Sequence, residues 1–148
     1  MRWRLPVLLG LLLSALALPV LAAEGNRIGY VTFGEARIQL VDGDARVEVD
    51  YSLDPGMNLI ILFFGSGDLQ KKIERSLNFP LARPEEVGLT RAVFTVDQAS
   101  EDYGDHAYWF PAHSFGVTFP EVEVKAPGIT HSYTDTRDIP RGFGYFWP

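Results

Sequence analysis

The chain has 148 residues, 47% apolar and 22% charged, with no cysteine and 19 acids against 13 bases for a net charge of −6. That balance argues against nucleic acid as a partner, because phosphate binding needs a basic face and the densest group of bases is Lys71, Lys72 and Arg75. Without cysteine the chain can form no disulfide and carry no lipidated thiol, so its stability has to come from packing.

The N-terminus reads MRWRLPVLLGLLLSALALPVLAAEGN, with Arg2 and Arg4 ahead of an apolar run from Leu5 to Leu21 and small residues at Ala22 and Ala23. These are the three parts of a secretory signal peptide. A retained anchor is the rival reading, since about 17 apolar residues is the lower limit for crossing a bilayer. Val20 and Leu21 followed by alanine suit signal peptidase better. The expectation is a leader over residues 1–23 and a single exported domain over residues 24–148, located outside the cytoplasmic membrane and with no membrane span after cleavage. Loss of Arg2 and Arg4 leaves 11 bases against 19 acids, a charge of about −8, on a chain long enough to bury a core without staples.

Beyond the leader, RIGYVTF reads as a strand weakened by Gly29. The segment EARIQLVDGDARVEVDYSL reads as a hairpin turning at Asp42-Gly43. Paired positions then sum to 85, which sets Leu40 against Ala45, Ile38 against Val47 and Ala36 against Val49 on one side, and Arg37 against Glu48 on the other. Turn chemistry, period-2 alternation and cross-strand charge all choose that register. After the Asp54-Pro55-Gly56 turn, MNLIILFF is apolar at nearly every position. The run predicts a central strand covered on both faces, with Leu59, Ile61 and Phe63 in the core. Leu69, Ile73 and Leu77 then recur every four residues among Lys71, Lys72, Glu74 and Arg75, predicting a short amphipathic helix from Asp68 to about Asn78 that Pro80 and Pro84 end.

Later strands are predicted over LTRAVFTVD, HSFGVTF, EVEVK and ITHSYTDT, with a Pro127-Gly128 turn setting Val124 against His131 and Val122 against Tyr133. Seven or eight short strands with frequent turns and one inserted α-helix make the expected fold mostly β, an antiparallel β-sandwich of Ig-like or transthyretin-like architecture.

No catalytic motif passes its spacing test. FFGSGDLQKK lacks the third glycine of a dinucleotide fingerprint, having Gln70 there, and lacks the Gly-Lys-Ser/Thr of a P-loop. Gly65 and Gly67 read as a sharp strand-to-helix turn, with Ser66 or Asp68 as caps. Ser66 has Phe64 and Asp68 where a nucleophile elbow needs glycines. DQASEDYGDHAYWFPAH holds Asp97, Glu101, Asp102, Asp105, His106 and His113, the densest set of metal-capable side chains. Calcium at Asp102 and Asp105, around Gly104, is the metal this set would take, although the EF-hand pattern is not met and the two histidines match no zinc spacing. A solvated acidic loop is the plainer reading, and no cofactor is expected.

Of 19 aromatic residues, 11 lie from Tyr103 onward. Phe115, Val117 and Phe119 alternate as a core face does. AYWFP and GFGYFWP sit beside proline or glycine and read as loops, so Tyr108, Trp109, Phe110, Tyr145, Phe146 and Trp147 form the candidate ligand surface, for rings of this kind stack on sugars or anchor a protein. The alternative is that the tail folds back as a lid.

The segments GSGDLQKKIERSLNFP, AYWFPAHSFGVTFP and IPRGFGYF resemble small exported proteins of unknown function from methanogenic archaea. The resemblance implies an extracytoplasmic setting and assigns no site. The expected function is a cell-envelope or surface binding module whose partner is an envelope protein or a glycan. A secreted hydrolase with a glycosidase-type carboxylate pair and a calcium-binding surface domain are the alternatives.

Overall fold

A computed structural model describes residues 25–148; the leader expected over 1–23 lies outside them. Over these residues the fold is mostly β, with two short helices and two sheets. Arg27–Ile28 (β1) turns at Gly29, where φ is +57°, and pairs with Val31–Val41 (β2). β2 and Asp44–Leu53 (β3) form the long hairpin, and the register is the expected one: Ile38 faces Val47, Leu40 faces Ala45 and Arg37 faces Glu48. A bulge between Phe33 and Ala36 shifts the pairing by one residue. Burial changes phase with it, from Val31 and Phe33 to Ala36, Ile38 and Leu40, so both ends of the strand keep their apolar side chains inward. On the opposite face Arg37 bonds to Glu35 (2.9 Å) and Asp50 (2.8 Å). Beside it Glu48 takes bonds from Arg46 (2.6 Å) and Arg91 (3.1 Å). The hydrogen bond from Arg46, followed by the charge of Arg91, holds the Glu48 carboxyl below the usual carboxylate range.

The segment expected as a central strand is instead the helix Met57–Phe64 (α1). Ile61 alone of its residues is buried; Leu59 and Phe63, expected in the core, are exposed, Phe63 by 80%. β2 and β3 are both flanked on either side, so no place beside the hairpin is left for this run, and a chain leaving the sheet satisfies its backbone locally as a helix. The Gly65 N–H closes the last turn on the Ile61 carbonyl at 2.7 Å.

Gly67–Leu77 (α2) matches the predicted amphipathic helix and buries Leu69, Ile73 and Leu77. Asn78 ends it at φ +57°. Ser66 makes no capping bond, and Asp68 is engaged by the Tyr30 hydroxyl (2.8 Å) and Lys72 (3.0 Å). Burial, reinforced by that bond to Asp68, pushes the Tyr30 phenol up to about 12. Ala82–Val87 (β4) is an edge strand in which Pro84 is tolerated next to a bulge. Arg91–Val96 (β5) joins β4 to β3.

Glu101–Asp102 (β6), Ala107–Phe110 (β7) and a later strand make the small sheet. His113–Ala126 (β8) runs through Pro120 as one strand where two were expected, and its burial changes phase there, from Phe115, Val117 and Phe119 to Val122 and Val124. It pairs with β2 in parallel from Glu35/Glu121 to Gln39/Lys125, so the sheet is mixed and departs from the all-antiparallel expectation. Ile129–Ile139 (β9) follows the Pro127-Gly128 turn with Val124 against His131, as predicted. Phe143–Phe146 (β10) completes the small sheet. The large sheet runs β4-β5-β3-β2-β8-β9, with β1 on β2, and the small one β10-β7-β6.

α2 lies so close to β8 that a Cβ on Gly116 would stand 2.1 Å from the Arg75 carbonyl oxygen, whereas one on Gly67 would meet nothing within 4 Å. Gly116→Ala is therefore expected to cost on the order of 2–3 kcal/mol by forcing helix and strand apart. Gly67→Ala, in the first turn of α2, should be neutral or stabilise by about 0.5 kcal/mol. Urea unfolding of the two variants checks the contrast, and equal effects would contradict the packing.

Candidate functional site

The aromatic segments read as loops are paired strands. β7 and β10 match Phe110 with Phe143, Trp109 with Gly144, Tyr108 with Tyr145 and Ala107 with Phe146. Strand alternation divides the rings between two faces. Phe110 and Tyr145 are buried in the core, and Tyr108 stacks on Tyr145 with ring centres 5.5 Å apart and planes at 22°. The Tyr108 hydroxyl donates to the Asp42 carboxylate at 3.0 Å. The Tyr145 hydroxyl shares hydrogen bonds with the Asp42 carbonyl and, at 2.8 Å, with the buried Ser100 hydroxyl. The small sheet is thereby tied to the turn of the β2–β3 hairpin. Donation to Asp42, with burial behind it, pushes the Tyr108 phenol up; burial does the same for Tyr145.

Trp109 and Phe146 take the other face, 40% and 72% exposed. A Cβ on Gly142 would sit 2.9 Å from the indole Cε2 and Cζ2, and one on Gly144 would sit 3.7 Å from Cε3. The indole thus lies against a backbone floor that these two glycines keep flat. Trp147 is half-buried, its backbone N–H bonded to the His106 carbonyl at 2.9 Å. Of the six ring positions singled out from sequence, Phe110 and Tyr145 are structural, Tyr108 and Trp147 are part-buried, and Trp109 and Phe146 form a surface platform to which Tyr103 adds an exposed ring.

Beside Trp109, β6 places Glu101 directly opposite it and Asp102 opposite Tyr108. With Asp44, Gln98 and Ser100, the residues Glu101, Asp102 and Tyr108 line an open depression of about 500 Å³, and Trp109 lies outside that lining. Sequence reasoning singled out Glu101 and Asp102 as metal-capable but missed Asp44, which the hairpin brings in from the far side of the chain. The Asp102 carboxylate accepts the Gly104 N–H at 2.8 Å, and Asp105 and His106 follow in left-handed conformation, φ +52° and +61°. Among the described residues no group of three or more His, Asp or Glu side chains stands together as a metal set. Among them, too, no helix is long and apolar enough to cross a membrane.

His113 belongs elsewhere. Its ring lies against Phe79 at 3.8 Å and 7°, and its Nε2 bonds to the Leu77 carbonyl at 2.7 Å, closing the C-terminal end of α2 onto β8. Compared with family models, characterised proteins and solved structures, the chain has no match.

Burial lowers the His113 pKa, against the opposing effects of the Leu77 bond and the Asp138 charge. The fold favours the neutral ring, so as pH falls the unfolded chain takes up its proton first, near pH 6.5. Stability is full above that value and declines as pH drops towards the lower folded-state pKa. The melting temperature should therefore fall between about pH 7.5 and 5, and His113→Gln, which keeps a donor amide, should flatten that slope. An unchanged slope would show that another group sets it.

Proposed function

We propose that the domain is an exported, extracytoplasmic binding module that stacks a saccharide ring on Trp109. The observation that carries the reading is the exposed indole lying on Gly142 and Gly144, with Glu101 directly opposite it on β6 at the rim of a depression that Asp44 and Asp102 also line. A sugar offers an apolar face to an aromatic ring and hydroxyl donors to carboxylates, and this surface presents both partners side by side. Phe146 and Tyr103 extend it for a longer chain. An envelope protein would use the same rings with a larger apolar contact and fewer carboxylates at its edge, which ranks it second.

The three carboxylates also raise the hydrolase alternative. All three belong to exposed residues, and a general acid must be desolvated to hold its proton near neutral pH. That places hydrolysis below binding. In architecture we read the small sheet, packed onto the large one through Phe110 and Tyr145, as the second layer of a β-sandwich of the Ig-like or transthyretin-like kind, modified by the parallel β2–β8 pair.

Glycan-array binding of the exported protein, followed by titration of any hit, tests the reading. Trp109→Ala is expected to weaken the interaction by about 2 kcal/mol, roughly 30-fold in Kd, with the melting temperature nearly unchanged. Binding that survives in the folded variant contradicts the platform, and capture of an envelope protein in place of any glycan favours the second reading.

A further inference from the structure

Of the ten exposed large apolar side chains among the described residues, five lie on α1: Leu59, Ile60, Leu62, Phe63 and Phe64, the last two 80% and 86% exposed. At 3.6 residues per turn they spread over roughly 200° of the helix circumference, with only the Ile61 direction turned inward. α1 is therefore an apolar finger, not a helix with one apolar face. A flat protein partner covers one side of a finger, whereas a fluid apolar phase covers all of it. The helix is also only about 12 Å long, too short to supply the roughly 800 Å² that each partner buries in a stable protein interface.

Two more observations point to lipid. The apolar run Leu5–Leu21 ends a few residues before Gly25, where the described chain begins, and the chain just beyond is fastened to the root of α1. Arg27 pairs with Asp54, and the Tyr30 carbonyl accepts the Asp54 N–H at 3.0 Å. On the export reading the N-terminal run is carried to a bilayer before it is cleaved, and this tie places α1 beside it at that stage. Charge agrees as well: from Asn58 to Pro80 there are three bases, Lys71, Lys72 and Arg75, against two acids, Asp68 and Glu74, in a chain that is otherwise strongly acidic. Lys72 is taken up by Asp68, but Lys71 is exposed and follows α1 closely, where lipid headgroups would lie.

We propose that α1 inserts into a lipid bilayer, with Phe63 and Phe64 among the acyl chains and the exposed Lys71 at headgroup level, docking the domain by the end of the β2–β3 hairpin opposite its turn. This stands independently of what the Trp109 platform binds. It requires no conformational change, because the side chains that would enter the lipid are already exposed.

The absence of cysteine lets single labels report the contact. An environment-sensitive dye is placed through Phe63→Cys on the exported protein and, as a control at the far end of the hairpin, through Val41→Cys. On phosphatidylcholine–phosphatidylglycerol vesicles the dye at position 63 should shift to the blue and be quenched by brominated acyl chains, while the dye at position 41 should do neither. With the dye moved to Leu59→Cys, the added pair Phe63→Ser and Phe64→Ser should abolish the shift, since each buried phenylalanine is worth about tenfold or more in partitioning. Both phenylalanines are solvent-exposed, so their loss leaves the core intact. A dye at position 63 that remains in water with vesicles present overturns the proposal. So does one that is already blue-shifted without lipid, which would mean that a second copy or the N-terminal run covers the finger.

Discussion

The register of the β2–β3 hairpin is the constraint on which the rest of the molecule depends. A slip of one residue would turn Ile38, Leu40, Val47 and Val49 outward and bring Arg37 and Glu48 towards the core. The Asp42-Gly43 turn sets the pairing at one end, and the Arg37, Glu48 and Asp50 ion pairs hold it on the outer face. The bulge at Gly34–Glu35 lets the other end keep its own apolar phase. β8 changes phase at the same level, around Pro120–Glu121, directly beside β2, where Glu35 pairs with Glu121. The two central strands therefore shift together: β2 buries Phe33 before the shift and Ile38 and Leu40 after it, β8 buries Phe119 before and Val122 and Val124 after, and the two rings meet edge to face at 5.8 Å.

This backbone separates two surfaces. The hairpin turn carries the small aromatic sheet, through the bonds from Tyr108 and Tyr145 to Asp42. The open end of the hairpin carries α1, the Arg27–Asp54 tie and the start of α2. The ten residue steps of strand from Val31 to Val41 set the two ends roughly 33 Å apart. A ligand platform and a lipid-inserting finger at opposite ends of one rigid hairpin would hold the platform clear of the surface to which the finger is fixed. Each exposed phenylalanine of α1 forgoes on the order of 1.5–3 kcal/mol of burial, which the domain offsets with a core built from strands and α2.

What was legible in the sequence was local and periodic. The Asp42-Gly43 and Pro127-Gly128 hairpins followed from turn residues and alternation, and α2 followed from the spacing of Leu69, Ile73 and Leu77. MNLIILFF has no period, and an apolar run without one fits a buried strand as well as a helix; only the occupancy of both sides of β2 decides between them. The parallel β2–β8 contact joins residues more than 80 apart in the chain, which no local signal encodes. AYWFP looked irregular because its three consecutive rings do not alternate and a proline follows, and GFGYFWP because glycines interrupt its alternation, yet Gly142 and Gly144 are the floor on which Trp109 rests. The candidate site was thus half readable: its rings could be named, but their division between core and surface, and the arrival of Asp44 beside them, required the pairing.

The most direct test of this two-ended arrangement is the height of the hairpin turn above a membrane. Energy transfer from a donor at Val41→Cys to acceptors on lipid headgroups, measured on vesicle-bound protein, should place that position roughly 30 Å above the surface, the length of the strand beneath it. A donor lying at headgroup level would mean that the domain rests on its side, and would contradict docking through α1.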